Sequence, residues 1–231
     1  MESRHPFQVE VEGDRLAAQV YQLESGRASS MLVLAHGAGA GQFSSFIVRF
    51  ARGLAKRGIH VVTFNFPYME RGKKVPDRAP KLENTYRAII GALFERFAPV
   101  SLFIGGKSLG GRIASHLAAA EDELAGKIAG LVCLGYPLHA PGSPVLRDAH
   151  LPRIRAPVLI VQGERDAFGR PEEIRNATRS MSARVQLLPI DGGDHSLSVP
   201  KGGRVPQEEV YRRVEEEIAN WMGGIASARR S

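Results

Sequence analysis

A lone cysteine, Cys133, stands in a chain of 231 residues. That scarcity excludes a disulfide framework and any cysteine-rich metal site. No apolar run approaches the roughly 20 residues that span a bilayer. The N-terminal MESRHPFQVEVEGD is polar and lacks the apolar stretch of about 7–15 residues of a signal peptide. No membrane partner is expected, and the chain is expected in the cytoplasm. Aromatic residues make up only 7%, but 43% apolar and 24% charged residues are ordinary globular values. Disordered, collagen-like and low-complexity classes are therefore excluded. Acid is the scarcer charge, with 24 Asp+Glu against 31 Lys+Arg. The excess is scattered: Arg49, Arg52, Lys56 and Arg57; Arg71 to Lys81; Arg147, Arg153 and Arg155; Arg212, Arg213, Arg229 and Arg230. Acids interrupt several of these groups, and no aromatic residues interleave them to stack bases. Nucleic acid is not an expected partner.

What is present is an alternation of β-branched apolar runs with helical periods. Phe7, Val9 and Val11 alternate with polar residues, as do Leu16, Ala18 and Val20, with Gly13-Asp14 between them. This spacing predicts an antiparallel edge hairpin. MLVLA (31–35), HVVTFNF (60–66), SLFIGG (101–106), GLVCLGY (130–136), PVLIVQG (157–163) and RVQLLPI (184–190) follow. Continuous apolarity means burial on both faces, as in a parallel sheet covered by helices. Phe46 to Leu54, Leu82 to Phe97, Ser108 to Ala120 and Val210 to Trp221 supply helical periods, the last expected to stop at Gly223-Gly224. The order predicts an α/β fold: one domain over 1–231, mostly parallel, core about 7–222, with a frayed tail at 223–231.

Ligands meet such sheets at the carboxyl ends of the strands. The run SLFIGGKSLGGRIA contains Gly106-Lys107-Ser108-Leu109-Gly110, a G-x-S-x-G elbow between a strand and a helix. Such a turn exposes the Ser108 hydroxyl above a helix N-terminus, where the macrodipole favours negative charge. The competing role for Ser108 is a helix N-cap. A serine hydroxyl needs a base, itself oriented by a carboxylate, in the chain order Ser, acid, His. Among seven histidines, only His195 in GGDHSL follows a strand in that order. Glu164, Asp166, Asp191 and Asp194 are candidate acids. Asp194 adjoins His195 and points away from it, whereas Asp166 approaches from a separate loop, so Asp166 is selected.

After MLVLA comes His36-Gly37-Ala38-Gly39-Ala40-Gly41. Backbone N–H groups of Ala38 and Leu109 are placed to form an oxyanion hole. A phosphate loop is the rival, but no G-K-[ST] closes it and G-x-G-x-x-G is not matched. Lys107 and Arg112, beside the serine, would hold a substrate carboxylate or brace a loop acid. Gly39, Tyr68, Lys107 and His139 are candidate substrate contacts. Pro67 to Arg78 is expected to rim the entrance with basic charge. No metal-ligand spacing occurs, and no cofactor is expected.

The ordered set HGAGAG, GGKSLGGR, QGERDAFG and GGDHSL resembles the α/β-hydrolases. More narrowly it resembles the small capless branch related to dienelactone hydrolases and testis-expressed-protein-30-like hydrolases, over about residues 30–222. The resemblance implies an eight-strand sheet, a Ser108–Asp166–His195 triad and an oxyanion hole after the third strand. Dienelactone hydrolases use a cysteine nucleophile, whereas here the elbow carries Ser108 and Cys133 lies mid-strand. The expected activity is hydrolysis of an ester or thioester of a small soluble substrate through an acyl-enzyme. The alternative is a non-catalytic scaffold of the same fold. Only about 20 residues, Pro137 to Ala156, separate the fourth continuous run, GLVCLGY, from the next, and Pro137, Pro141, Pro144 and Pro152 forbid long helices there. No helical cap is expected. Ser108 should sit in an open cleft rimmed by 67–80 and 137–156.

Overall fold

In a computed structural model, residues 2–23, 30–202 and 205–229 are described. Strands β1 (Glu2–Val11) and β2 (Asp14–Leu23) form the expected hairpin, turning at Glu12-Gly13. β3 (Ser30–Ala35), α1 (Ser45–Ala55), β4 (His60–Phe64), α2 (Pro67–Glu70) and α3 (Ala79–Phe97) follow. Then come β5 (Ser101–Lys107), α4 (Leu109–Ala118), α5 (Glu123–Lys127), β6 (Ile128–Leu134), β7 (Val158–Gly163), α6 (Pro171–Thr178), β8 (Val185–Ile190) and α7 (Gln207–Ala228). The eight strands make one sheet in the order β1-β2-β4-β3-β5-β6-β7-β8. β2 runs antiparallel to both β1 and β4, and the remaining neighbours are parallel.

Alternate residues of the central strands feed opposite faces, which explains their unbroken apolarity. Val33, Ile104 and Cys133 pack with Leu82, Tyr86 and Ile89 of α3 and Ile113 of α4. Leu32, Leu34, Phe103 and Val132 pack instead with Phe50 and Leu54 of α1 and Val214 and Ile218 of α7. Cys133, in the middle of β6, is 1% exposed, and burial pushes its thiol pKa up to about 12. The parallel register pairs Ala35 with Gly106, Lys107 with Leu134 and Leu134 with Val161. The strands therefore end together, and the loops that follow β3, β5, β6, β7 and β8 gather at one rim.

One helix boundary differs from expectation. α7 continues through Gly223-Gly224 to Ala228, because Met222 and Ala226 are buried and Ile225 packs on the core beyond the glycines. Burial of that apolar face outweighs the roughly 1 kcal/mol that each helical glycine costs. The expected fraying of 223–228 is thus corrected, while 230 and 231 lie outside the described residues. The 137–156 connection holds one short 3₁₀ turn, Leu151–Arg153, and no cap covers the rim among the described residues. No helix of the described residues is long and apolar enough to cross a membrane.

Candidate active site

The elbow between β5 and α4 is the sharpest feature of the rim. Ser108 holds φ 50°, ψ −114°, a left-handed conformation that is strained for a residue with a side chain. Its amide is fixed on the neighbouring strand by donating to the Leu134 carbonyl at 3.1 Å. The glycines serve close approach. A Cβ on Gly106 would lie 2.5 Å from the Ala35 carbonyl oxygen, and one on Gly110 would meet the same oxygen at 2.5 Å. Strands β3 and β5 and the start of α4 close together only without those side chains.

His195, after β8, brings Nε2 to 2.8 Å from Ser108 Oγ. On the other side its Nδ1 lies 2.8 Å and 3.0 Å from the two carboxylate oxygens of Asp166. A carboxylate only accepts, so Nδ1 carries the proton and Nε2 accepts from the serine hydroxyl. Asp166 is 1% exposed. Its oxygens also accept from Gln162 Nε2 at 2.8 Å and from the Phe168 amide at 2.8 Å, so the buried charge is fully bonded. The Phe168 ring lies 4.2 Å from the His195 ring. The other candidate acids are occupied elsewhere: Glu164 accepts from the Gly192 amide, and Asp194 from the Ser196 and Ser198 amides, shaping the His195 turn.

Lys107 is 8% exposed, and its ammonium donates to the His195 carbonyl. It braces the histidine loop rather than a loop acid. Burial lowers its pKa to about 8, against the opposing pull of Asp166 and Asp194. The glycine-rich loop is held from beneath. His36 Nε2 accepts from the Phe66 amide at 3.1 Å, which leaves Nδ1 to donate to the Gly37 carbonyl at 2.8 Å. Burial lowers the His36 pKa to about 4, so the ring is a neutral strut at physiological pH. Ala38 and Leu109 both line the cleft, and neither amide has a partner among the described residues.

The cleft has a volume of about 770 Å³. Beside the triad-forming groups its walls carry Phe46, Arg49, Arg112, Pro137, Arg147 and Tyr211. Three of the expected contacts are corrected. Gly39 turns away between Ala38 and Ala40, outside the lining. Tyr68 is fully buried beneath the loop, its hydroxyl reaching the Gly37 carbonyl at 3.5 Å. His139 is held outside the cleft by the Ala140 carbonyl and the Glu173 carboxylate, at 2.9 Å and 3.2 Å. The 67–80 segment does not rim the cleft either. Arg71 and Lys81 pair with Asp14 on the hairpin, and Arg71 also with Asp77. Arg49, Arg147 and Tyr211 escaped sequence reasoning because they arrive from α1, the proline-rich loop and α7. Phe168 stood unread inside QGERDAFG. Among the described residues no group of His, Cys, Asp or Glu is placed to hold a metal ion.

Residues 28–223 match the model of the alpha/beta hydrolase domain. The chain belongs to that family. Solved structures of similar fold include a dienelactone hydrolase from Anabaena variabilis, 17% identical, TM-score 0.76, covering 96% of this chain and 98% of that one. Est1E from Butyrivibrio proteoclasticus with bound ferulic acid is 16% identical, TM-score 0.76, over 93% and 98%. A serine hydrolase without lid from Xanthomonas campestris is 16% identical, TM-score 0.70, over 98% and 94%. At these identities the likeness establishes that this alpha/beta hydrolase shares their fold.

Proposed function

We propose that this chain is a single-domain serine hydrolase that cleaves an ester or thioester of a small soluble substrate. The observation that carries the proposal is the continuous chain of hydrogen bonds from Ser108 Oγ through His195 to Asp166, at 2.8 Å on both sides of the ring. Ser108 Oγ attacks the carbonyl carbon as its proton passes to His195 Nε2. The carbonyl π pair moves onto oxygen, where the free amides of Ala38 and Leu109 stabilise it. Asp166 holds the ring in the productive tautomer and stabilises the imidazolium. Collapse of the intermediate expels an alcohol or thiol, which takes the proton from His195 and leaves an acylated serine. Water then repeats the sequence, releasing the acid and restoring Ser108. The lidless serine hydrolase of the same fold supports this class of reaction.

A fluorophosphonate probe is expected to label Ser108 alone in the folded protein. Ser108→Ala is expected to lower kcat by at least about 10³-fold, and Asp166→Asn by about 10⁴-fold through the wrong imidazole tautomer. Folded protein that resists the probe overturns the proposal.

A further inference from the structure

We propose that Arg112 and Arg147 form an anion-binding subsite beside Ser108 that selects esters bearing a carboxylate, an inference that rests on the serine-hydrolase proposal. Both residues line the same cleft as the nucleophile. Arg112 stands one turn into α4, its amide bonded to the Ser108 carbonyl at 3.0 Å, so the helix that presents the serine also presents this cation. Arg147 arrives from the proline-rich loop opposite. Its backbone is pinned by the Leu138 carbonyl at 2.7 Å and the Tyr136 hydroxyl at 2.7 Å.

The two arginines differ from the ion-paired ones of the chain. Arg49, Arg57, Arg71 and Arg87 each hold a carboxylate. Among the described residues neither Arg112 nor Arg147 does. Arg112 Nε is buried without any partner, and the Arg147 side chain makes a single bond, to the Pro137 carbonyl at 3.3 Å. Two acids near them are already engaged. Glu83 accepts from His116 at 2.7 Å, and Glu208, the carboxylate of the cleft wall, is taken by Arg49. Burial and the neighbouring charge of Arg147 both disfavour the Arg112 cation. Two like charges on one cleft, one of them carrying a buried N–H without a partner, are an arrangement that a bound anion relieves. A guanidinium fork matches a carboxylate in two parallel hydrogen bonds, which favours a planar organic acid group on the substrate.

Paired esters test the subsite and distinguish where the carboxylate sits. One arm compares 4-nitrophenyl hydrogen glutarate with 4-nitrophenyl valerate, the charge lying on the acyl side. The other compares 4-carboxyphenyl acetate with 4-methylphenyl acetate, the charge lying on the leaving group. The readout is the charged-to-neutral ratio of kcat/KM in wild type against Arg147→Gln, with Arg112→Gln as a second variant where it folds. A fall of at least tenfold, about 1.4 kcal/mol, in either arm supports the subsite and names its side. An unchanged ratio in both arms, with Ser108-dependent turnover of the neutral esters intact, overturns the subsite and leaves the hydrolase proposal standing. If no ester is turned over and Ser108 resists the probe, the hydrolase proposal fails instead. Calorimetric titration of Ser108→Ala protein with millimolar glutarate then decides the subsite by itself: binding that weakens tenfold on adding Arg147→Gln supports it, and no binding overturns it.

Discussion

Lys107 illustrates what a single residue must tolerate to sit beside the nucleophile. An ammonium that loses its proton near pH 8 in the folded protein, against an ordinary value of 10.5, has been desolvated at a cost of about 3 kcal/mol at neutral pH. The unfolded chain keeps that proton up to about 10.5, so between the two values the unfolded state binds more protons and stability rises with pH. Denaturant unfolding should show the stability of wild type relative to Lys107→Met climbing by up to about 3 kcal/mol from pH 7 to 11; a flat difference would contradict a buried cation. At this scale the sequence was informative wherever chemistry is encoded locally. Gly106 to Gly110 fixes an elbow by short-range crowding, and the choice of Asp166 over Asp194 followed from the opposed directions of neighbouring side chains. Tyr68 and His139 were misplaced because a position after a strand says where the backbone goes and nothing of which way the side chain turns. Tyr68 turned inward under Gly37, and His139 outward to Glu173.

Between elements, the apolar joint of α1 with α7 also carries a buried ion-pair cluster. Glu215 is 3% exposed and bonds Arg49 at 2.9 Å and Arg57 at 2.7 Å. It fits because α1 has no side chain at Gly53, where a Cβ would lie 2.1 Å from the Glu215 carboxyl carbon. Glycine to alanine inside a helix ordinarily stabilises by about 0.5–1 kcal/mol. Here the carboxylate is pinned by two cations and cannot withdraw without leaving them unpaired. Gly53→Ala is therefore expected to destabilise by about 1–3 kcal/mol, and thermal unfolding should show Tm falling by roughly 2–4 °C per kcal/mol. Element types were readable because burial on both faces or on one imposes its own period. Element ends were less so. Gly223-Gly224 has the composition of a helix stop, yet tertiary burial of Met222 and Ala226 carries α7 beyond it.

For the whole molecule, the cleft is walled by α1, the 137–156 connection and α7 as well as by the strand-end loops, a convergence that no local window of sequence contains. The chain arithmetic that excluded a cap does survive, since no helix covers the cleft among the described residues. A cleft of about 770 Å³ without an apolar roof gives a long acyl chain little to bury against. Assays of 4-nitrophenyl esters should give kcat/KM for C2–C4 acyl groups above that for C12, with no jump in rate when substrate forms micelles. A tenfold preference for C12 would show that an unrecognised apolar channel exists.

Cys133 has a consequence of a different kind. With its thiol at the centre of β6, shielded on both sides and held protonated by burial, it is chemically silent while the sheet is closed. The same atom becomes reactive as soon as the middle of the sheet opens. The lone cysteine therefore makes the protein its own stopwatch: the rate of thiol capture by a small disulfide reagent in native buffer should track global unfolding, slowing and quickening with denaturant as the unfolding rate does. Capture within seconds in native buffer would mean instead that β6 breathes independently of the rest of the sheet.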